Sequence, residues 1–225
     1  MTALALAPDR SVVESLVRQS LFREIGRGQP ATPAPTLVVN SSARHMHISP
    51  ENLELLFGKG AELTVHKWLY QEGQFAAQQT VTLIGPRKRI IPNLRILGPC
   101  RNLTQIELAI TDSIQLGIDV PVRMSGDIEG TPGGYAMGPK GLLEMKQGII
   151  RAARHVHMSP SDAKFYKVRH LDKITLKVVS KGCRTRFDDL IVRVDPSFKL
   201  EVHIDTDEAN ACDLERASKV ELLKS

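Results

Sequence analysis

Two segments of the chain repeat the pattern Arg-His-x-His-x-Ser-Pro, and their histidines are the residues best spaced for chemistry. The copies are Arg44–Pro50 and Arg154–Pro160, which match at five of seven positions and differ only in apolar residues. In a strand, side chains two residues apart point to the same face, so the two histidines of each copy project together. Two imidazoles on one rigid strand can share a cation such as zinc.

The alternative interpretation of such a pair is structural: surface histidines, or core histidines with satisfied hydrogen bonds. It explains a single His-x-His pair about as well as a metal site does. Two copies in the same context, each in a strand-like stretch before a short helix, favour the metal and indicate an internal duplication. We therefore predict a metal-dependent active site in a duplicated, β-rich enzyme.

A metal site needs further ligands, and two later strand-like segments supply candidates. Glu107 is a carboxylate among the apolar residues of TQIELAIT, and His203 alternates with apolar neighbours in KLEVHIDT. Arg101, shortly before Glu107, suits an oxyanion such as phosphate, although an exposed salt bridge would also explain it. His66 and His170 lie in more polar surroundings and are expected to be bystanders.

The remaining motifs carry little chemistry. Cys100, Cys183 and Cys212 are far apart and form no CxxC pair, so neither a disulfide framework nor a thiolate zinc site is indicated. Cys100 lacks the sequence pattern of a nucleophilic cysteine, and we expect it to be structural. The glycine-rich stretch GTPGGYAMGPKG has neither P-loop nor Rossmann spacing and is predicted to be a turn-rich connector.

The elements that must position these residues are predicted to be mainly short strands. After the first 35 residues, apolar and polar residues alternate in short runs bounded by Gly, Pro, Asn or Asp. Short helices are predicted only in SPENLELLFG and SPSDAKFYK, because each opens with Ser-Pro. Aromatic residues make up 4% of the chain, so its core must be aliphatic. This pattern favours small barrels or sandwiches.

The first part of the chain has a different pattern. In DRSVVESLVRQSLFREIG, residues 9–26, apolar residues recur at helical spacing, which predicts an amphipathic helix. The following GRGQPATPAPT is rich in Pro, Gly and Ala and is typical of an exposed linker. Such a helix either docks on a partner or folds back on the main body, and the sequence favours neither.

Composition restricts the partners. The chain has 225 residues and a formal net charge of +5, with a pI near 9.2. This mild basic excess suits an anionic ligand, but nucleic acid is not expected, because no Lys/Arg block or run of stacking aromatics accompanies it. No apolar run has membrane-spanning length and the N-terminus lacks a signal-peptide pattern, so we expect a soluble, intracellular protein without membrane contact.

Beyond these inferences, the chain resembles the phosphate propanoyltransferase family, the PduL-type phosphotransacylases of bacterial microcompartments. The segments that carry the resemblance lie within residues 41–212 and are SSARHMHISPENLELLFG, GQFAAQQTVTLIGP, LRILGPCRNLTQIELAITD, RMSGDIEGTPG, RAARHVHMSP and LEVHIDTDEAN. The two Arg-His-x-His-x-Ser-Pro segments and HIDTDEAN are the most specific of them.

The resemblance implies site residues. It implies two zinc ions, although other divalent metals suit the same ligands. One ion is expected at His45, His47 and Glu107, and the other at His155, His157 and His203. Arg101 matches the family's phosphate-contacting arginine. Coenzyme A contacts are expected at Ser42, Lys67, Arg95, Leu97 and Asn210.

The resemblance also implies a fold and a location. The fold would be mainly β, with two small related β-barrels and short capping helices after an N-terminal amphipathic helix. Residues 1–33 would be helix and linker, residues 34–43 with 153–225 the first barrel, and residues 44–152 the second. The N-terminal segment resembles the encapsulation peptides that recruit cargo to shell proteins. The enzyme would then be a homodimer in the lumen of a bacterial microcompartment.

The implied reaction is the reversible transfer of a propanoyl, or acetyl, group between coenzyme A and inorganic phosphate, as in propanediol degradation. The residues alone suit a dinuclear zinc hydrolase of a phosphoester or thioester almost equally well. A metal-binding scaffold protein is the non-enzymatic alternative, against which Arg101 near Glu107 argues, because simple storage needs no oxyanion group. No activated Ser or Cys is apparent, so direct transfer without an acyl-enzyme is expected.

Overall fold

The chain folds into many short strands and a few short helices. The structure, a computed structural model, describes Glu14 and residues 34–224. Its strands are β1 (Val38–Ser42), β2 (His45–His47), β3 (Val65–Trp68), β4 (Phe75–Ile84), β5 (Ile90–Gly98), β6 (Gln105–Glu107), β7 (Val122–Arg123), β8 (Gly134–Met137), β9 (Leu142–Met145), β10 (Ile149–Ala152), β11 (His155–Met158), β12 (Lys173–Ser180), β13 (Cys183–Val194), β14 (Glu201–Asp205) and β15 (Ala217–Lys224). Its helices are α1 (Pro50–Phe57), α2 (Ile110–Leu116), α3 (Pro160–Tyr166), α4 (Thr206–Ala211) and a 3₁₀ turn at Leu214–Arg216.

The expectation of a mainly β fold with short helices is confirmed. The amphipathic helix and linker predicted for residues 1–33 lie outside the described residues, Glu14 excepted. In the described part of the chain, no helix has both the length and the apolar character needed to cross a membrane.

The strands form two curled, half-barrel sheets. One has six strands in the order β1-β14-β11-β13-β12-β15, and the other has nine, in the order β7-β10-β6-β2-β5-β4-β8-β9 with β3 beside β4. The six-stranded sheet takes its strands from residues 38–42 and 155–224, and the nine-stranded sheet from residues 45–152. Because Thr36–Ser225 form one compact unit, the division into separate domains stays a prediction.

The chain crosses from one sheet to the other just before each His-x-His pair. β1 belongs to the six-stranded sheet, and after Ala43 and Arg44 the chain continues as β2 in the nine-stranded sheet. β10 belongs to the nine-stranded sheet, and after Ala153 and Arg154 the chain continues as β11 in the six-stranded sheet. The alternating stretch TLVVNSSARHMHIS therefore contains two strands that belong to different sheets.

The two halves have the same register around the histidines. His45 lies opposite Glu107 in the antiparallel pair of β2 and β6, and His155 lies opposite His203 in the antiparallel pair of β11 and β14. The strand that precedes each crossing pairs in parallel with a strand of the sheet that the chain is leaving. β1 pairs with β14 in the six-stranded sheet, and β10 pairs with β6 in the nine-stranded sheet. This matched pairing supports the internal duplication and brings the two halves together at the crossings.

Two helices begin at the Ser-Pro pairs, as predicted. Ser49 Oγ accepts a hydrogen bond from the Asn52 amide at 3.4 Å at the start of α1. Ser159 Oγ accepts one from the Asp162 amide at 3.2 Å at the start of α3. A cap of this kind contributes about 1 kcal/mol, and proline in the first turn forfeits no hydrogen bond there.

Three local predictions are wrong. α2 begins at Ile110 and α4 at Thr206, inside TQIELAIT and KLEVHIDT, for which the alternation predicts strand to the end. Each strand gives way to a helix because a carboxylate in the first turn, Asp112 or Glu208, accepts the amide proton of the capping residue. GTPGGYAMGPKG is more than a connector, because it contains β8, which continues the sheet beside β4.

Aliphatic side chains pack against each sheet. Met46 and Ile106 are fully buried in one core, and Val156 and Val202 in the other. Because side chains alternate along a strand, burying the central residue of each His-x-His segment turns the flanking histidines to the opposite face. The packing of the two cores therefore decides the face on which the histidines gather.

Candidate active site

The first cluster contains His45, His47 and Glu107, all buried. The Nε2 atoms of His45 and His47 lie 3.2 Å apart. Glu107 Oε2 lies 3.5 Å from His45 Nε2, and Glu107 Oε1 lies 3.6 Å from His47 Nε2. Ligand atoms about 2.0–2.1 Å from a tetrahedral zinc are about 3.4 Å from one another. The spacing is therefore that of three ligands of one cation.

Neighbouring groups hold these ligands in place. The Ala43 carbonyl accepts a hydrogen bond from His45 Nδ1 at 2.8 Å. A carbonyl can only accept, so the proton is on Nδ1 and the Nε2 lone pair is free for a cation. Gln105 Nε2 donates to Glu107 Oε1 at 2.7 Å, which fixes the carboxylate beside the two rings.

The second cluster contains His155, His157 and His203, whose ligand atoms lie within 4.8 Å of one another. His155 Nδ1 donates to the Ala153 carbonyl at 2.8 Å, which repeats the arrangement at His45. The His157 ring stacks on the Phe198 ring with centroids 4.1 Å apart. The predicted metal ligands thus gather in two groups of three, each drawn from two neighbouring strands.

The second cluster contains buried ring nitrogens that a divalent cation would bind. Both ring nitrogens of His157 and the Nε2 of His203 are buried without a hydrogen-bond partner among the described residues. A buried polar atom left unpaired costs about 1–3 kcal/mol, and folded proteins keep few of them. A bound cation would satisfy one nitrogen on each ring, and three imidazoles are a ligand set suited to zinc.

The protonation states also suit ligand chemistry. Burial is the main cause that lowers the pKa of His47 and of His155 to about 4, and the pKa of His157 to about 2. These rings are neutral at pH 7 and keep a lone pair. Burial alone would raise the pKa of Glu107, but His45 and His47 outweigh it and hold that pKa below its ordinary value.

Both clusters line one cavity of about 590 Å³. Sites for small molecules and cofactors span about 300–1,000 Å³. Four arginines also line the cavity: Arg44, Arg95, the predicted Arg101 and, in addition, Arg193. The cavity therefore presents two candidate cation sites and several fixed positive charges to the same bound molecule.

Two of these arginines, Arg101 and Arg193, are suited to an anion. Arg101 Nη1 donates to Ser125 Oγ at 3.4 Å, and the Arg193 guanidinium lies 5.9 Å from the Phe198 ring centroid. Burial lowers the pKa of both groups. Neither forms an ion pair with a carboxylate in the part of the chain that the structure describes. Both charges are therefore available to an oxyanion such as phosphate.

The residues expected to contact coenzyme A fall into two groups. Ser42, Arg95 and Leu97 line the cavity with the two clusters. Lys67, on β3, and Asn210, in the last turn of α4, are exposed and are not among the lining residues. Their assignment stays a prediction.

Three functional candidates have no counterpart in the sequence analysis. Gln105 lies two residues before Glu107, and Glu201 lies two residues before His203. Strand alternation places each on the same face as the candidate ligand, so the sequence could have indicated both residues. Glu201 is buried, accepts hydrogen bonds from Asn40 and Gln71, and lines the cavity. Arg193 lies opposite His157 in the parallel pair of β11 and β13. No signal in the sequence showed that those two strands are neighbours.

The structure also brings together a serine, a histidine and a glutamate. Ser42 Oγ lies 3.3 Å from His203 Nδ1, and Glu201 Oε2 lies 3.1 Å from His203 Nε2. The contact with Glu201 lacks the alignment of a hydrogen bond, and His203 Nε2 is among the unpaired nitrogens. A ring whose nitrogen binds a metal is unsuited as a general base, so we interpret His203 as a ligand.

The bystander residues lie elsewhere. His66 is exposed on β3, and the ring of His170 accepts a hydrogen bond from the Val194 amide. Cys100 packs against the core of the nine-stranded sheet and does not line the cavity. Burial raises the pKa of its thiol, which disfavours the nucleophilic thiolate.

Comparison with known proteins agrees with this geometry. The family model described as phosphate propanoyltransferase matches residues 38–215. The chain belongs to this family. A phosphate propanoyltransferase of Planctopirus limnophila is 52% identical over 223 residues, covering 96% of this chain and 91% of the relative. A phosphate propanoyltransferase of Thermotoga maritima is 49% identical over 190 residues, covering 84% and 90%.

The matched region contains both histidine pairs, both candidate third ligands, Arg101 and Arg193. The family resemblance predicted from the sequence is therefore confirmed, and with it membership of a family of acyltransferases.

Proposed function

We propose that this protein transfers a propanoyl group reversibly between coenzyme A and inorganic phosphate at a dinuclear zinc centre. The observation that carries the proposal is one cavity lined by the two three-residue clusters and by Arg101 and Arg193, in a chain of the phosphate propanoyltransferase family. An acetyl group is the alternative substrate, because one methylene changes selectivity by only about 1–3 kcal/mol.

The first ion would be held by His45, His47 and Glu107, and the second by His155, His157 and His203. When bound, such ions supply Lewis-acid polarisation of the thioester carbonyl and stabilisation of the departing thiolate. His47, His155 and His157 contribute neutral imidazoles and Glu107 contributes an ionised carboxylate, so these four side chains need no deprotonation before binding a cation.

Arg101 and Arg193 would hold the phosphate with one oxygen directed at the thioester carbon. The C–O bond forms as the C–S bond breaks, and the proton carried by hydrogen phosphate passes to the sulfur of coenzyme A. Two fixed guanidinium groups act mainly by positioning and by stabilising charge. No side-chain nucleophile is needed, which agrees with the position of Cys100 outside the cavity lining.

The proposal includes the arrangement of the chain. The two curled sheets would be two related small β-barrels, residues 34–43 with 153–225 and residues 44–152, as their matched register supports. The protein would act as a homodimer, which sedimentation of the purified full chain tests: a monomer at working concentrations would contradict it.

Residues 1–33 would recruit the enzyme to shell proteins in a microcompartment lumen, as the amphipathic pattern of residues 9–26 supports. Deleting residues 1–30 should leave turnover intact and abolish co-purification with shells. A truncated enzyme that still co-purified with shells would refute this part of the proposal.

The decisive experiment is a thioester assay on protein of measured metal content, with and without phosphate. Release of coenzyme A that requires phosphate supports the transferase. Equal release without phosphate would instead identify a metal-dependent thioester hydrolase. Full activity in metal-free protein would contradict both.

A further inference from the structure

Each crossing segment orients the first histidine after it. The carbonyls of Ala43 and Ala153 accept the Nδ1 protons of His45 and His155, both at 2.8 Å. The direction in which Nε2 points therefore depends on where the crossing backbone lies. Groups that hold the crossing in place act on the cluster without touching it.

The arginine in each crossing binds the helix that follows the third ligand of the same cluster. Arg44 Nη1 lies 2.7 Å from Asp112 Oδ1, and α2 follows the strand that carries Glu107. Arg154 Nε lies 3.0 Å from Glu208 Oε1, and α4 follows the strand of His203. Each ion pair thus connects the two strands from which a cluster takes its ligands.

The second cluster has an additional brace. Arg151 Nε lies 2.6 Å from Asp205 Oδ2, and Arg151 Nη2 lies 3.0 Å from Glu208 Oε1. The side chains of Asp205 and Glu208 are 9% exposed, so these charge-assisted bonds are less screened than surface ion pairs. Arg151 belongs to β10 of the nine-stranded sheet, so Glu208 binds one arginine from each side of the crossing.

The first crossing lacks this additional brace. Ser41 stands where the second crossing has Arg151, and Ala109 caps α2 where Asp205 caps α4. Neither residue has a charge, so the Arg44–Asp112 pair is the ion pair that this crossing makes among the described residues.

We propose that Glu208 is a positioning residue for the cluster of His155, His157 and His203. Its two ion pairs fix the crossing and α4 relative to each other, and so hold His155 opposite His203 at ligand spacing. The inference rests on the proposed metal-dependent function. It implies that the second cluster depends more on Glu208 than the first cluster depends on Asp112.

The test uses backgrounds that keep one cluster at a time. His45→Ala leaves the second cluster, and His155→Ala leaves the first. Glu208→Gln and its matched control Asp112→Asn are placed in each background, and zinc is titrated into the full-length metal-free protein against a chelator. In the His45→Ala background, Glu208→Gln should raise the zinc dissociation constant about 10–100-fold and change the visible spectrum of bound cobalt. Asp112→Asn should do neither there.

An unchanged dissociation constant and cobalt spectrum in Glu208→Gln would overturn the proposal. So would an equal loss at both clusters, which indicates general destabilisation. If Glu208→Gln does not fold, Arg151→Gln takes its place. It removes the Arg151–Glu208 and Arg151–Asp205 pairs but keeps the Arg154–Glu208 pair, so it should raise the zinc dissociation constant of the second cluster by a smaller factor, and an unchanged constant would overturn the proposal. Wild-type protein that binds no zinc would refute the proposed function itself, whereas wild-type binding with an indifferent Glu208→Gln refutes only the positioning role.

Discussion

His155 and His203 lie opposite each other on antiparallel strands with their rings stacked, the centroids 4.9 Å apart and the planes within 10°. His45 and Glu107 occupy the same register in the other half of the molecule. Each cluster therefore takes its side chains from one pair of strands. A substitution in one cluster should then reduce metal binding at that cluster before it affects the other.

Replacing His155 by alanine should remove one of two bound metal equivalents and leave the fold intact. kcat should fall by at least about a hundredfold, since a bound metal contributes several kcal/mol of transition-state stabilisation. Elemental analysis, circular dichroism and a thioester assay measure the three effects. His66→Ala, at an exposed position on β3, is the matched control and should retain both equivalents. Full metal content in the His155 variant would contradict the ligand assignment.

Arg101→Ala should mainly impair the use of phosphate. Loss of a charge-assisted hydrogen bond costs about 1.5–3 kcal/mol, so kcat/KM for phosphate should fall about 10–150-fold. The KM for propanoyl-CoA should change much less. Initial rates over a range of phosphate concentrations measure this, with exposed Arg184→Ala as the control. Unchanged phosphate kinetics would remove Arg101 from its role.

Neither Ser42 nor Cys100 should form an acyl-enzyme. Cys100→Ser should keep nearly full turnover, because the thiol lies outside the cavity lining. Ser42→Ala should raise the KM for propanoyl-CoA while keeping kcat within about tenfold, because Ser42 lines the cavity without a free general base. Mass spectrometry after rapid quenching tests for a covalent adduct. An acyl group trapped on either residue would establish the covalent route.

The metal-free protein should lose stability as the pH falls from about 6.5 toward 4. The folded-state pKa of His47 and of His155 is about 4 and that of His157 is about 2, all below the ordinary 6.5. Between these values the unfolded chain binds more protons, so stability rises with pH by about 1.4 kcal/mol per pH unit for each such histidine. The lowered pKa of Glu107 acts in the same direction but at lower pH.

Urea unfolding of the metal-free protein across this pH range measures the effect. His157→Ala should reduce the slope, and saturating zinc should stabilise the folded state, because the cation binds the neutral rings. A flat stability profile between pH 4 and 6.5 would contradict the buried, neutral state of these histidines.

Several features followed from the sequence because their causes are local. The Ser-Pro pairs predicted α1 and α3, since a serine cap and a proline in the first turn act within a few residues. Alternation predicted that both histidines of each pair share a face, and the duplication predicted that there would be two such pairs. The candidate third ligands Glu107 and His203 were also predicted in this way, as polar residues in apolar strands, and the structure places each beside its histidine pair.

Other local features were missed because the sequence signals for them were weaker than the signals for a different local structure. The alternation of TQIELAIT and KLEVHIDT predicted strand to the end, but helices start there, after the capping residues Ala109 and Asp205, whose amides donate to the Asp112 and Glu208 carboxylates. The glycines of GTPGGYAMGPKG concealed β8, whose place in the sheet depends on its ladder with β4 and not on its own propensity.

The sequence by itself determined which side chains are candidate ligands, their pairing on strands and the aliphatic character of the core, because periodicity and residue type are properties of short segments. Tertiary structure alone decided that the chain changes sheets at Ala43–Arg44 and at Ala153–Arg154, that Arg193 lies beside His157, and that Glu208 binds arginines from both sides of a crossing. These relationships join residues far apart in the chain. Which strands become neighbours depends on burying two cores at once, and no single segment specifies that choice.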